Sequence, residues 1–484
     1  MGIVPLLIFG NRSRWFYIPA IILFVVLESV EWFVRFNFKM ILDGDWVGML
    51  LGSSSSEVKW FVVQYTNFVT LFVVIGIVLI TLGLVAITRL AKNIRVSIVS
   101  VGFAFFSLCV FGYANSIITK RFKVFEELIP VHLLADSVRC YKSYSMLAKM
   151  KNHPSVPLTM HLDEKIDNVV GVFVLGESAA RRRCGMYGYE RDTTPCMSRR
   201  KDELVLFSDL VTSGGCTTEA MRYLLTTRTI EKDIDLRFTF PQALSYVGYS
   251  VSLLSNQERW GEVDGDETFD FAGCSSMTFM GESGETNRYD DVLLPYLSAM
   301  LNTNELKQVV FMHLSGSHFP CDGKYPHENA PFTPEYVKNY FYSFNTSIMQ
   351  NHYDNSIWFT DKVLEKVVSM LETTRRPCWM IYLSDHGDTP SSKNWRTATD
   401  RDLWDIPFIV WTSKEFKEKY PEKVLKLTAA KDKPLQSDQL LYGLLDFAGV
   451  EGLGIEPCEN FLDEEFRPRR PRLIQGGKSI YSWD

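Results

Sequence analysis

The segment that decides the fold is VVGVFVLGES, residues 169–178. It is a short apolar run rich in β-branched residues, which is typical of a buried strand, and it ends in a glycine followed by a carboxylate. A second run of this kind is WMIYLSDHG, residues 379–387, which ends in an adjacent aspartate and histidine. Because sites in open parallel sheets form at the carboxyl ends of strands, the two runs predict a site at one sheet edge.

The pattern of apolar runs continues through the chain after residue 164. Residues 309–314 and 407–411 have the composition of strands, and residues 353–371 have a helical pattern. Alternating strands and helices predict an α/β domain in which helices cover a largely parallel sheet. The basic tail, residues 467–472, is interrupted by prolines, and we interpret it as a solvated extension.

The average composition combines two unlike parts. Of the 484 residues, 46% are hydrophobic, which excludes a disordered chain. Asp and Glu outnumber Lys and Arg by 57 to 51, which argues against nucleic acid as a partner. Residues 60–87 and 96–119 contain no charged residue, and residues 15–36 form a third apolar run. Each run is long enough to cross a bilayer, so we predict about three transmembrane spans.

Basic residues predict the orientation of these spans. Arg12 and Arg14 precede the first span, and Arg89, Lys92 and Arg95 fill the second connection. The positive-inside rule places the N-terminus and this connection in the cytoplasm, so the chain after the third span is expected outside. We therefore predict three parts: a transmembrane domain at 1–121, a bridging amphipathic segment at 122–163 and a catalytic domain at 164–484.

Two acidic residues, Glu28 and Glu31, lie in the outer half of the first predicted span. Their spacing places them on one helix face. Ionisable groups at membrane depth are costly, and they are candidates for a function such as substrate binding. Either both reach the water interface, or both face the ammonium group of a zwitterionic lipid; the sequence leaves these alternatives open.

Glu177, Asp385 and His386 follow the two predicted strands and form a candidate metal set. Two carboxylates and one imidazole suit zinc, with a fourth position left for a nucleophile. The loop SGGCTTE, residues 213–219, supplies candidate hydroxyls at Thr217 and Thr218. Glycines before a helix allow its free N–H groups to approach an anion, and a metal can activate a hydroxyl there. The residues alone leave open that either threonine is only a helix N-cap.

A series of ordered blocks links these motifs across residues 169–411. The blocks are GES at 176–178, YGY at 187–189, RDTTP at 191–195, SNQ at 255–257, HLSGSH at 313–318, YP at 325–326, YDNS at 353–356, TD at 360–361 and SDHG at 384–387. In this order they resemble the phosphoethanolamine transferases of Gram-negative inner membranes, in the alkaline phosphatase/sulfatase superfamily. The resemblance implies an alkaline phosphatase-like α/β/α sandwich with a largely parallel sheet. It also implies a multi-pass protein of the bacterial inner membrane whose catalytic domain is periplasmic.

The resemblance also implies roles for individual residues. It makes Glu177, Asp385 and His386 ligands of one zinc ion (Zn2+), with a threonine as fourth ligand and nucleophile. Aligning residues 220–226 with the apolar run after the family's nucleophile indicates Thr217, with Thr218 as the alternative. Three further positions are implied to bind substrate: Asn256, His318 and, as a replacement for a lysine of the family, Arg259.

The implied reaction transfers phosphoethanolamine from phosphatidylethanolamine through a covalent phosphoethanolamine-threonine intermediate. The acceptor is lipid A, a core sugar of lipooligosaccharide or another envelope glycan, and the enzyme is expected to act as a monomer. A phosphoglycerol transferase, or a hydrolase of the sulfatase or phosphodiesterase type, is the alternative on the same metal site. A non-catalytic envelope sensor or scaffold is the second alternative.

The sequence departs from the family pattern in three ways. None of its eight histidines follows His386, where members commonly have one. The region of Arg259 replaces a lysine, and three predicted spans stand where members often have five. A second metal site and the contact to the acceptor are therefore left open.

Eight of the nine cysteines lie outside the predicted spans. A periplasmic location permits disulfides, and Cys184 with Cys196 or Cys321 with Cys378 are conceivable pairs. The sequence does not fix which cysteines pair.

Overall fold

The chain divides into two compact units, Met1–Lys142 and Ser143–Asp484. The structure, a computed structural model, describes residues 75–76, 155–231, 237–257, 267–280, 288–319, 321–333, 346–388, 400–474 and 479–481. The predicted spans lie outside these residues, apart from Ile75 and Gly76, which are helical. Within the part that is described, no helix is both long and apolar enough to cross a membrane.

A central sheet of seven strands organises the second unit, in the order β3-β9-β8-β2-β7-β5-β6. The four pairings from β8 to β6 are parallel, and β9 runs antiparallel to both β8 and β3. This confirms the prediction of a largely parallel sheet. The described strands are β1 (His161–Leu162), β2 (Val169–Gly176), β3 (Leu204–Leu206), β4 (Leu210–Val211), β5 (Ser250–Ser255), β6 (Ser276–Phe279), β7 (Lys307–His313), β8 (Cys378–Ser384), β9 (Phe408–Thr412), β10 (Leu435–Gln436), β11 (Val450–Glu451), β12 (Leu473–Ile474) and β13 (Ser479–Ile480).

Helices alternate with these strands, as the apolar pattern predicts, and the helix predicted at residues 353–371 extends further in both directions. The described helices are α1 (Pro195–Arg199), α2 (Thr217–Leu225), α3 (Phe240–Tyr246), α4 (Glu267–Asp270), α5 (Leu294–Leu301), α6 (Thr346–Thr373), α7 (Arg401–Trp404), α8 (Lys414–Lys419), α9 (Pro421–Ala430) and α10 (Leu441–Phe447). Short 3-10 turns include Asp290–Leu293 and Ser437–Gln439.

The sheet is buried on both faces, as β2 shows most clearly. Every residue of β2 is buried, and its side chains alternate between two apolar clusters. Phe173 packs on one face against Phe240 and Phe311, whereas Val172 belongs to the cluster that contains Tyr353. A parallel sheet covered on both faces reads as a continuous apolar run in sequence, which is why residues 169–175 lack polar alternation.

The basic tail is not a solvated extension, so that expectation was wrong. The side chain of Arg469 is 9% exposed and contacts Asp438. Arg472 is 2% exposed and donates to Asp209 Oδ1 at 2.7 Å. A buried guanidinium is stable only when a partner compensates its desolvation, and each of these arginines meets a carboxylate from a distant part of the chain.

The four cysteines considered for disulfides are free thiols, so neither conceivable pair forms. Cys378 is buried in β8, and burial raises the pKa of its thiol to about 11. A thiol of this kind stays protonated at neutral pH and acts as a packing residue.

The N-terminus of α1 is held by a carboxylate of another helix. Thr194, the N-cap residue, makes no side-chain cap, and Pro195 has no N–H. The N–H groups of Cys196 and Met197 instead donate to the two oxygens of Asp361 on α6, at 2.6 and 2.9 Å. Burial raises the pKa of Asp361 to about 6, against the opposing effect of these two donors.

Asp361 should make stability depend on pH. Because its pKa is higher in the folded state than in the unfolded chain, protonation of Asp361 adds to the free energy of unfolding. This contribution is complete below about pH 4 and is lost as the pH rises through about 6. We expect the free energy of unfolding of Asp361→Asn, relative to wild type, to rise by up to about 3 kcal/mol between pH 4 and pH 7. Denaturant unfolding of the full chain in detergent at several pH values measures this difference.

The control is Glu365→Gln, one turn further along α6, which removes a carboxylate that is 27% exposed and paired with Arg200. If the free energy of unfolding of Glu365→Gln, relative to wild type, rises equally over the same pH range, then Asp361 is not the source of the pH dependence.

Candidate active site

Glu177, Asp385 and His386 converge at the carboxyl ends of β2 and β8, which are neighbours in the sheet. Each residue offers one ligand atom, and these atoms lie within 4.8 Å of one another. All three residues are 1% exposed. The parallel pairing of Gly176 with Ser384 brings the two chain segments side by side although they are far apart in sequence.

The donor set fits a divalent cation such as zinc. Asp385 Oδ2 is buried and has no hydrogen-bond partner among the described residues. His386 Nε2 lies 3.3 Å from this oxygen and 3.6 Å from Glu177 Oε1. Two buried carboxylates are costly unless positive charge compensates them, and an oxygen–oxygen–nitrogen set is one that zinc accepts. Glu177, Asp385 and His386 are therefore the residues that would hold the ion.

Backbone hydrogen bonds fix which atoms face the centre. The N–H groups of Ser178 and His386 donate to Asp385 Oδ1 at 3.0 and 2.7 Å, which leaves Oδ2 for the centre. His386 Nδ1 lies 2.8 Å from the carbonyl oxygen of Gly387. A proton on Nδ1 donated to this carbonyl leaves the Nε2 lone pair available to a metal.

The turn after β2 is held in an unfavourable conformation. Ser178 has φ 58°, in the left-handed region that non-glycine residues rarely adopt. Its hydroxyl donates to Glu177 Oε1 at 2.8 Å. Such strain persists only when the surroundings overdetermine it, and here the N–H of Ser178 is held by Asp385 Oδ1.

Tyr353 on α6 supports the same turn from the opposite face of the sheet. Its hydroxyl accepts the N–H groups of Ala180 and Asp388, at 2.8 and 3.3 Å, and donates to the carbonyl oxygen of Ser178 at 2.7 Å. Burial raises the pKa of Tyr353 well above its ordinary value, so the phenol keeps the proton that it donates. Sequence reasoning assigned no role to this residue beyond its place in the YDNS block.

Thr217 is the first residue of α2, and its side chain faces the three candidate ligands. Its Oγ1 lies 3.1 Å from both carboxylate oxygens of Glu177 and 3.5 Å from His386 Nε2. The N-cap of α2 is Cys216, so neither Thr217 nor Thr218 occupies that position. Thr218 is exposed, so the structure brings Thr217 to the candidate centre.

Asn256 follows β5 and contacts a carboxylate that organises a neighbouring loop. Its Nδ2 donates to Asp290 Oδ1 at 2.8 Å, while its Oδ1 is buried without a hydrogen-bond partner among the described residues. Asp290 also accepts the N–H groups of Ser315 and Gly316, at 2.7 and 2.9 Å. A Cβ at Gly316, which has φ +49°, would lie 2.6 Å from the carbonyl oxygen of Glu177, so this loop packs directly on the candidate ligand.

The two histidines of the HLSGSH block differ in burial, and the first lies beside the centre. His313 is buried at the end of β7, with Nε2 4.0 Å from Glu177 Oε2. Sequence reasoning gave it no role, although its position at the end of a strand next to β2 could have indicated it. His318 is partly exposed, and its N–H donates to the carbonyl oxygen of Ser315. Arg259, Glu28 and Glu31 lie outside the described residues.

Comparison with curated proteins indicates the same family as the motifs. Residues 170–450 match the Sulfatase family. Phosphoethanolamine transferase EptA of Helicobacter pylori is 28% identical over 433 residues, which are 86% of this chain and 79% of that protein. Phosphoethanolamine transferase EptC of Escherichia coli K12 is 26% identical over 315 residues, 61% of this chain, and the match spans only 53% of that relative.

Solved structures share the fold. The periplasmic domain of EptC from Escherichia coli, crystallised in complex with zinc, has a TM-score of 0.58 at 23% identity and covers 66% of this chain and 92% of its own. The integral membrane protein lipooligosaccharide phosphoethanolamine transferase A of Neisseria meningitidis has a TM-score of 0.69 at 18% identity and covers 94% of this chain and 88% of its own. The fold is therefore of the alkaline phosphatase type, and the resemblance that the motifs predicted is confirmed. Because the family match spans more than half of the sequence, the chain belongs to the sulfatase family.

Proposed function

We propose that this protein transfers phosphoethanolamine from phosphatidylethanolamine to an envelope acceptor, namely lipid A, a lipooligosaccharide core sugar or another periplasmic glycan. The observation that carries the proposal is the position of Thr217 Oγ1, 3.1 Å from both oxygens of a buried Glu177. A hydroxyl held against a candidate zinc ligand at a helix N-terminus suits a nucleophile toward phosphorus. The names of the relatives support phosphoethanolamine as the transferred group.

In the proposed first step, Thr217 Oγ attacks the phosphorus of the donor lipid. The bond from phosphorus to the glycerol oxygen breaks, diacylglycerol leaves with a proton, and phosphoethanolamine remains on the threonine. Glu177, Asp385 and His386 would hold zinc, which when bound would supply positive charge to lower the pKa of the hydroxyl and to offset charge on the phosphoryl oxygens. The first turn of α2 would offer the positive end of the helix dipole to the same anion.

In the proposed second step, an acceptor oxygen attacks the same phosphorus, and Thr217 leaves with a proton. His318 is partly exposed, and its imidazole is proposed to bind the phosphoryl group or to carry a proton near neutral pH. Asn256, at the end of β5, is proposed to contact the transferred group from the other side of the HLSGSH loop. Arg259, Glu28 and Glu31 remain candidates for substrate contacts.

We also propose that the protein is a multi-pass inner-membrane monomer, with its N-terminus in the cytoplasm and its catalytic domain in the periplasm. The uncharged runs at residues 60–87 and 96–119 support this, as does the fold shared with the integral membrane protein of Neisseria meningitidis. A donor lipid would then reach the site from the same bilayer. The division at 1–121, 122–163 and 164–484 belongs to this proposal, as does a single zinc site.

Removing a carboxylate of the candidate centre should weaken zinc binding. We expect Glu177→Gln and Asp385→Asn each to lower zinc affinity by at least about 10- to 100-fold, since even changes outside the ligand shell cost this much. The metal retained after dialysis against a graded chelator measures the affinity. Glu365→Gln, a carboxylate on α6 paired with Arg200, is the control. Wild-type zinc retention in Asp385→Asn would exclude this set as the site.

Removing the nucleophile should abolish transfer. We expect Thr217→Ala to lower the rate by at least about 10³-fold, because the covalent step is lost, while Thr218→Ala stays within a few-fold of wild type. The measurements are labelled diacylglycerol released from fluorescent phosphatidylethanolamine and a phosphoethanolamine mass gain on the protein. An adduct that persists in Thr217→Ala and disappears in Thr218→Ala would move the nucleophile to Thr218.

The same assay separates transfer from its alternatives. Release of free phosphoethanolamine at the same rate with and without lipid A or a glycan acceptor would favour a hydrolase. Turnover of a phosphoglycerol lipid in preference to phosphatidylethanolamine would favour a phosphoglycerol transferase. Zinc binding without turnover of either lipid would favour a non-catalytic sensor.

A further inference from the structure

We propose that Asp438 and Arg469 are positioning residues that fix the loop directly before the nucleophile. This loop, residues 212–216, is called the nucleophile loop below, and it leads into Thr217, the first residue of α2. The inference rests on the proposed function in that it takes Thr217 as the reacting group. By this inference the C-terminal tail, which the sequence alone suggested to be a solvated extension, has a role in catalysis.

Two consecutive residues hold the nucleophile loop at Ser213. The N–H of Ser213 donates to Ser437 Oγ at 2.9 Å, and the hydroxyl of Ser213 donates to Asp438 Oδ1 at 2.9 Å. Ser213, Ser437 and Asp438 are all buried. Both the backbone and the side chain of Ser213 are therefore fixed from the turn Ser437–Gln439.

Arg469 holds the carboxylate that receives these bonds. Its Nη1 lies 2.8 Å from both oxygens of Asp438, and the second oxygen also accepts the N–H of Ile230 at 2.9 Å. The side chains are 9% and 0% exposed, so this charge pair is almost fully desolvated. Without the guanidinium, a buried carboxylate would lack its compensating charge and would have to move, take up a proton or admit water. Any of these changes disturbs Ser213.

The position of Ser213 is transmitted to Thr217 by close backbone contacts. A Cβ at Gly214 would lie 2.4 Å from the backbone nitrogen of Ala220, so the nucleophile loop lies directly against the first turn of α2. The N–H of Gly215 donates to Glu219 Oε2 at 3.2 Å, which ties the loop to the same turn. A displacement of the loop therefore displaces the start of α2.

The nucleophile loop is also fixed to the candidate metal centre. Thr212 Oγ1 donates to the carbonyl oxygen of Asp385 at 2.6 Å. The loop is thus held on one side by a candidate zinc ligand and on the other by Asp438 and Arg469. This arrangement sets the distance between Thr217 and the centre, and a displacement of about 1 Å can cost about 10²-fold in rate.

A second arginine of the tail provides a matched control. Arg472 is 2% exposed and donates to Asp209 Oδ1 at 2.7 Å and to the carbonyl oxygen of Leu435. Its partners are Asp209, directly before β4, and Leu435 in β10, and neither contacts Ser213 in the described hydrogen bonds. If the tail only fastens the domain, removing either arginine should have the same effect on catalysis.

The test compares Arg469→Gln, Asp438→Asn and the milder Ser213→Ala with Arg472→Gln and Asp209→Asn, all in the full chain in detergent. The first measurement is hydrogen–deuterium exchange of the metal-free protein. We expect peptides covering residues 211–219 to exchange at least about tenfold faster in the first three variants and at the wild-type rate in the two controls. Ser213→Ala leaves the charge pair intact, so it remains informative if the other variants fold poorly.

The second measurement is turnover of fluorescent phosphatidylethanolamine by the zinc-loaded protein. In Arg469→Gln and Asp438→Asn we expect kcat to fall by about 10- to 100-fold with KM within about threefold and zinc content unchanged, because the donor site and the ligands stay in place. Arg469→Lys, whose ammonium reaches the carboxylate without the guanidinium fork, should recover part of kcat.

The positioning role is overturned if Arg472→Gln loses as much kcat as Arg469→Gln does. It is also overturned if exchange at residues 211–219 is unchanged in Arg469→Gln and Ser213→Ala. The exchange measurement needs neither substrate nor metal. If the wild-type protein does not turn over the lipid, the proposed function fails, while exchange still decides whether Asp438 and Arg469 fix the loop.

Discussion

The arrangement of this domain depends on two buried carboxylates, Glu177 and Asp385, that share one desolvated corner of the sheet. Both are 1% exposed, and neighbouring strand ends hold them together. Like charges in a medium of low dielectric constant repel one another strongly, so the corner is stable only with compensation. Backbone N–H groups supply part of it at Asp385 Oδ1, and Asp385 Oδ2, which has no hydrogen-bond partner among the described residues, is placed where a cation would supply more.

The backbone around this corner is also crowded. Ser178 adopts a left-handed conformation, and Gly316 lies so close to Glu177 that a side chain would collide with it. At Gly387 a Cβ would lie 1.9 Å from the carbonyl oxygen of Asp402. Four segments of the chain thus pack closely around the centre, and a site of low dielectric constant strengthens the electrostatic interactions within it.

The sequence predicts the parts of this arrangement that are coded locally. The apolar runs that form β2 and β8 are continuous because both sheet faces are covered. The residues that follow them meet because the two strands are parallel neighbours in the sheet. No short stretch of sequence decides between Thr217 and Thr218, because the answer depends on which hydroxyl faces Glu177 after α2 has begun. The supporting role of Tyr353 depends on how α6 crosses the sheet, which no short motif encodes.

The C-terminal tail shows where an interpretation of charged residues from the sequence alone is wrong. Arg469 and Arg472 lie among prolines, and in isolation such a segment resembles a solvated extension. Their carboxylate partners, Asp438 and Asp209, are separated from them in sequence by other elements, and only the assembled fold brings each pair together. A buried ion pair is seldom the cheapest way to stabilise a domain, because apolar packing gives comparable stability without desolvation. The inferred positioning role gives the pair of Arg469 and Asp438 a reason other than stability, because Asp438 accepts the hydroxyl of Ser213 in the loop that precedes Thr217.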